Sequence, residues 1–170
     1  MPDTRELERL YDTYAEGLFR YFMTFVECAA DAEDLLMELF ARIANQSLPT
    51  AEAKEKAFLF RSAHNLAIDR QRSRRTRQQA IEATKADSAE SCQACEDPDA
   101  SLFSSQLSES LGRLPLDQRL IVQMKLWDEL TFEQIASVQG ITANTAASRY
   151  RYGIEKLRSL LRPLYEEIQP

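Results

Sequence analysis

The stretch LPLDQRLIVQMKLWDELTFEQIASVQGITANTAASRYRYGIEKLRSLL, residues 114–161, decides how the chain is read. Pro115 suits the first turn of a helix, where its missing N–H would have no partner, and Leu120, Ile121, Met124 and Trp127 follow at helical spacing. Thr131 and Gln134 have the form of a capping box, in which hydroxyl and amide satisfy each other's free backbone N–H groups. Phe132, Ile135, Ala136 and Val138 then supply the buried face of a short helix. Gly140 is the residue type that takes positive φ at a helix end, Ile141 anchors the turn, and Thr142 caps a last helix running to Leu161. The spacing therefore predicts three helices, the last two forming a helix-turn-helix.

In such a unit the second helix can lie in the DNA major groove, its first turns toward base edges. Thr142, Asn144, Thr145, Ser148, Arg149, Arg151 and Tyr152 are the candidate contacts, and Ala146, Tyr150, Ile154, Leu157 and Leu161 form the inward stripe. Short amphipathic helices around a Gly turn also build bundles that touch no nucleic acid, so spacing alone leaves DNA binding open.

Upstream, apolar residues again recur at helical period. Residues 4–26 carry Leu7, Leu10, Tyr11, Tyr14, Leu18, Phe22 and Phe25, the pattern of one long amphipathic helix. Asp31 is expected to cap a second helix, with Glu33 and Asp34 near the positive end of its dipole and Leu35, Leu36, Leu39, Phe40 and Ile43 inward. Its outer edge then presents Glu33, Asp34 and Glu38 beside an exposed Met37, which on its own is the pattern of a solvated face. Residues 45–53 form a turn-rich break in which Pro49 disfavours helix and Thr50 can cap the next one. Residues 57–72 are helical with Phe60, Ala63, Leu66 and Ala67 inward, and they lead into Arg70, Arg72, Arg74, Arg75 and Arg77. Five arginines within eight residues and no acid among them repel one another unless an anion is near, which points to nucleic acid.

The formal charge of −6 argues against a chain that binds polyanions over its whole surface, but it says little about one local cluster. With 44% hydrophobic residues, only four Gly and no alternating apolar runs, the 170 residues are expected to be all-α. Two small helical domains are expected, at 1–78 and 103–170, joined by a flexible acidic linker at 79–102 where apolar content falls and Asp97-Pro98-Asp99 breaks regular structure. Phe103, Leu107 and Leu111 restart a helix, and residues 164–168 read as a short tail.

No apolar run suggests membrane insertion and the acidic N-terminus is unlike a signal peptide, so a cytoplasmic chain is expected. Cys28, Cys92 and Cys95 are then thiols. Cys92-x-x-Cys95 alone supplies too few ligands for structural zinc, and His64 is the sole histidine, so no metal or cofactor is expected. No Ser/His/Asp set or Gly-rich phosphate loop is present, so no catalytic residue is assigned and no enzyme is expected.

Leu114-Pro115, Thr131, Glu133-Gln134-Ile135-Ala136, Gly140-Ile141-Thr142 and Thr145-Ala146-Ala147-Ser148-Arg149 resemble, in order, the promoter-binding C-terminal domain of bacterial sigma-70 family factors of the extracytoplasmic-function type. The chain departs at Ala146, Ala147 and Tyr152, where that family usually has valine, lysine and arginine. Asp31-Ala32-Glu33-Asp34-Leu35-Leu36-Met37-Glu38-Leu39-Phe40 resembles the family's polymerase-binding helix, with Met37 in place of the usual glutamine. The arginine-rich helix resembles the melting helix: Asn65, Leu66, Ala67 and Asp69 match, and Phe58 stands where tryptophan is usual.

The resemblance implies a promoter-specificity subunit. It assigns polymerase binding, on the clamp helices of the largest subunit, to Asp31, Glu33, Asp34, Met37 and Glu38. It assigns downstream-element DNA to Arg61, Asn65, Asp69, Arg70, Arg72, Arg74, Arg75 and Arg77, with an unstacked base received by the 45–53 loop, and upstream-element DNA to the helix-turn-helix contacts above. An anti-sigma factor is a further implied partner. Two alternatives stay open: a sigma-like mimic that sequesters an anti-sigma factor, and a stand-alone helix-turn-helix regulator.

Overall fold

The computed structural model describes residues 2–49, 51–82 and 102–168, with side chains at 2–49, 51, 54–79 and 106–163. Its described residues form seven α-helices and no strand. The chain divides into two compact units, Met1–Cys95 and Glu96–Pro170.

The first unit holds α1 (Thr4–Met23), α2 (Ala29–Ile43) and α3 (Glu52–Glu82), each packed on the other two. In α1 the Asp3 carboxylate accepts the Glu6 N–H at 2.8 Å, and Leu10, Tyr14, Leu18, Tyr21 and Phe22 are buried. The helix ends at Met23, not Val26. Its apolar pattern outlasts it because Val26 is buried from the following turn, where its N–H still bonds the Phe22 carbonyl.

Asp31 does not cap α2. The helix starts two residues earlier, behind Cys28, which makes no side-chain cap, and Asp31 lies in the first turn paired with Arg74 of α3. An acidic residue there still favours the positive helix end, so the residue type pointed to the right turn but not to the cap.

Helix α3 is 31 residues long and takes in the whole arginine run. Arg9 of α1 grips Glu55 near its start with two bonds of 3.2 and 2.7 Å, and Glu55 is only 5% exposed. The Glu55 carboxylate raises the Arg9 pKa above its ordinary value. Thr50, read as a cap for this helix, lies outside the described residues, as does most of the stretch read as a linker. Of that stretch, α3 occupies the beginning as far as Glu82 and a new helix begins at Leu102.

The second unit holds α4 (Leu102–Gly112), α5 (Leu116–Leu126), α6 (Phe132–Gln139) and α7 (Ala143–Ile168), with α4, α5 and α6 packed on α7. Pro115 is the residue before α5, with extended ψ of 143°, so its fixed φ sets the entry to the helix rather than its first turn. Arg119 donates to the carbonyls of Gly112 and Leu114, closing the α4–α5 turn, and burial lowers its pKa from the usual guanidinium value.

Trp127 does not complete the α5 stripe. It ends the helix at 38% exposure beside an exposed Leu126, and Leu130 fills the interior instead. The chain reaches Leu130 by turning through Glu129 at φ 53°, after which the Leu130 N–H bonds the Met124 carbonyl. Lys125 donates to the Leu130 carbonyl and lies 5.0 Å over the Phe132 ring.

The capping box at Thr131 and Gln134 is closed by bonds of 2.8 and 3.2 Å. Gly140 takes φ 66°, and its N–H and that of Ile141 both return to the Ala136 carbonyl. The Thr142 hydroxyl then accepts the Thr145 N–H, starting α7 in a new direction. Helix α7 buries Ala146 and Leu157 and runs beyond Leu161 to Ile168, with Pro163 inside it.

Candidate nucleic-acid and partner interfaces

Three polar faces carry the candidate residues. On α2, Glu33, Asp34 and Met37 are exposed, Met37 by 62%, while Glu38 pairs with Arg42 at 2.6 Å and Asp31 with Arg74. Between α1 and α2 runs a groove of about 450 Å³, lined by Tyr11, Ala15, Glu16, Phe19, Glu33, Leu36 and Met37. Glu33 and Met37 are therefore one lip of a cleft whose other lip belongs to α1. The α1 residues are not evident from the sequence, where Tyr11 counts toward the apolar stripe. It is 43% exposed, its ring 5.2 Å from that of Phe40. The available signal is its place one residue off the Leu10, Tyr14, Leu18 row.

On α3 all eight candidates are exposed, but helical geometry sorts them. Arg61, Asn65, Asp69, Arg72 and Arg75 recur every three or four residues and form one stripe on the side away from the buried Leu59, Ala63, Leu66 and Ala67. Arg70, Arg74 and Arg77 continue the line of the buried residues instead, and Arg74 reaches Asp31 there. Asp31 and Arg74, expected to serve different partners, thus hold each other. Beside the first stripe, His64 is half-buried with Nδ1 2.9 Å from the Tyr21 hydroxyl, and burial lowers its pKa below the usual imidazole value.

On α7, Thr145, Ser148, Arg149 and Tyr152 share one strip, while Asn144 and Arg151 flank it. The Thr142 and Thr145 hydroxyls bond each other at 2.8 Å, so both are engaged in the cap. Tyr152 is 55% exposed with the Arg151 guanidinium 5.5 Å over its ring. The Arg149 guanidinium lies 3.3 Å from the carboxylate of Asp117 on α5. Sequence reasoning misses Asp117, because a pairing between separate helices leaves no local trace in the sequence.

Among the described residues no His, Cys, Asp or Glu cluster offers a metal three ligands; Cys28 is a buried thiol, and Cys92 and Cys95 lie outside the described residues. No described helix is long and apolar enough to cross a membrane.

Compared with known proteins, residues 10–77 match the family description Sigma-70 region 2 and residues 104–157 match Sigma-70, region 4. The chain is similar to the ECF RNA polymerase sigma factor SigL of Mycobacterium tuberculosis, with 28% identity over 160 residues, 93% of this chain and 90% of the relative. It is also similar to SigX of Bacillus subtilis, with 26% identity over 175 residues, 99% of this chain and 89% of the relative. In fold it resembles the sigma factor RpoE from Bartonella quintana, solved with the anti-sigma factor NepR, at a TM-score of 0.73 and 19% identity, covering 94% of this chain and 98% of that one. It also resembles CnrH, solved with the cytosolic domain of CnrY, at a TM-score of 0.63 and 18% identity, covering 95% and 90%.

Proposed function

The chain belongs to the sigma-70 family, in its extracytoplasmic-function type, and from that premise we propose how its faces divide the work of a promoter-specificity subunit. A sigma factor binds core RNA polymerase and directs initiation at a subset of promoters, so polymerase and promoter DNA are its partners. Two domains, 1–78 and 103–170, take separate tasks. The acidic edge of α2, with Glu33, Asp34, Met37 and Glu38, docks on the clamp helices of the largest polymerase subunit. Complementary charge steers the encounter, and the apolar α1–α2 groove beside it adds buried contact.

The α3 stripe of Arg61, Asn65, Arg72 and Arg75 binds the downstream element as it melts, its cations replacing counterions on the phosphates. Helix α7 enters the major groove of the upstream element through Asn144, Thr145, Ser148, Arg149 and Tyr152. The chemistry of RNA synthesis belongs to the polymerase, and this chain supplies binding. It works in the cytoplasm with that enzyme. One similar structure holds a sigma factor with its anti-sigma factor and the other holds CnrH with a cytosolic domain, and we extend an anti-sigma partner to this chain.

What carries the reading is the order of matched regions, 10–77 then 104–157, with the acidic edge and the arginine stripe both in the first and the helix-turn-helix in the second. A stand-alone helix-turn-helix regulator would leave residues 10–77 without a task. The test is gel filtration of the purified chain with core RNA polymerase, where stoichiometric co-elution displaced by another sigma factor is expected. The double variant Asp34→Lys, Glu38→Lys is expected to lose co-elution and keep its helical circular dichroism. A folded variant that co-elutes as well as the parent would remove α2 from the docking assignment.

A further inference from the structure

Arg149 stands in the middle of the half-buried polar strip of α7, and the carboxylate that meets it is not on its own helix. Its guanidinium lies 3.3 Å from the carboxylate of Asp117 in the first turn of α5, with the side chains 36% and 59% exposed. That separation is longer than a charge-assisted hydrogen bond, so the carboxylate attracts the guanidinium as an ion pair while its N–H donors stay available. The two backbones are held in register at this point. A Cβ placed on Gly153, one turn beyond Arg149, would meet Val122 at 2.8 Å and Gln118, the neighbour of Asp117, at 3.4 Å. Asp117 is therefore carried on a helix packed closely against α7.

A carboxylate beside a DNA-reading face repels phosphate and weakens binding to every duplex alike. Its presence there makes physical sense as a restraint. Resting on the reading of α7 as the upstream-element helix, we propose that Asp117 is a positioning residue that sets promoter discrimination by holding the Arg149 guanidinium in one orientation. A long side chain with several rotamers satisfies any nearby phosphate. One held against a fixed carboxylate is limited to the acceptor pattern of a particular base edge. Asp117 thus trades indiscriminate affinity for selectivity.

The experiment uses holoenzyme reconstituted from core RNA polymerase and the full chain. A randomised duplex pool first yields a preferred upstream sequence, and affinities for that duplex and a scrambled one are then measured. With D117N, scrambled duplex is expected to bind more tightly and the preferred-to-scrambled ratio to fall roughly three- to tenfold, part of what one oriented base contact supplies. D117E is expected to restore the ratio, and in an R149A background D117N is expected to leave it unchanged. Thermal unfolding of the D117N, D117E and R149A variants should match the parent. If D117N raises both affinities equally, Asp117 only repels phosphate and the inference fails. If its effect persists without Arg149, the carboxylate acts elsewhere and the inference fails again. A parent holoenzyme that selects no upstream sequence would overturn the α7 assignment itself, and this inference with it.

Discussion

His64, the single histidine of the chain, is half-buried against Tyr21, and the surrounding protein disfavours its charged form. A neutral ring can take either role toward the hydroxyl, whereas a protonated ring can only donate. Between the lowered native pKa and about 6.5, the unfolded chain binds a proton that the native chain does not. This residue therefore adds to stability above about pH 6.5, and its contribution is lost as pH falls below that value. Urea unfolding midpoints of the parent are expected to drop more steeply than those of His64→Gln between about pH 6.5 and 5; parallel curves would mean the site accepts the proton freely. At this scale the sequence is legible where residue type and backbone agree. Gly140 announces its positive φ because Gly takes it without strain, while Glu129 at φ 53° carries no mark that would set it apart from any surface glutamate.

Helix α7 meets α5 closely because Gly153 has no Cβ, and Val122 occupies the space a methyl group would need. Gly153→Ala gains about 1 kcal/mol of helix propensity but must displace a fully buried, β-branched neighbour, for which overpacking costs roughly 1–3 kcal/mol. A net loss of about 1 kcal/mol is expected by chemical denaturation. Combining it with Val122→Ala should destabilise by less than the sum of the single changes, since the second makes room for the first; simple additivity would show that this close approach is not the cause. Apolar period and capping residues make the existence of the helices readable in advance, because each arises from neighbours within two turns. Ends and partners are less legible. Trp127 continues the α5 period but gives way to Leu130, which the turn through Glu129 brings inward. The arginine run likewise reads as one cluster until a continuous α3 distributes it over two sides.

For the molecule as a whole, a net charge of −6 leaves the arginine stripe as a local attraction against an unfavourable background. Binding of the holoenzyme to melted promoter DNA is therefore expected to weaken with salt. In Arg72→Ala, Arg75→Ala the slope of log affinity against log salt should be shallower by about 0.7 for each phosphate no longer neutralised. An unaltered slope, measured by titration at several ionic strengths, would take that stripe off the DNA. Arg74→Ala serves as the contrast, because its side chain already faces Asp31. That pair gives the two ligands of the first domain a thermodynamic linkage. Neither side chain is among the contacts proposed above, yet polymerase docking on α2 that loosens Asp31 would free a guanidinium on α3, and DNA on α3 that loosens Arg74 would free a carboxylate on α2. By reciprocity each ligand favours the other to the same degree. An exposed pair is worth at most about 1 kcal/mol, so the gain is no more than about fivefold, enough to bias the order of assembly without locking the free subunit out of either step.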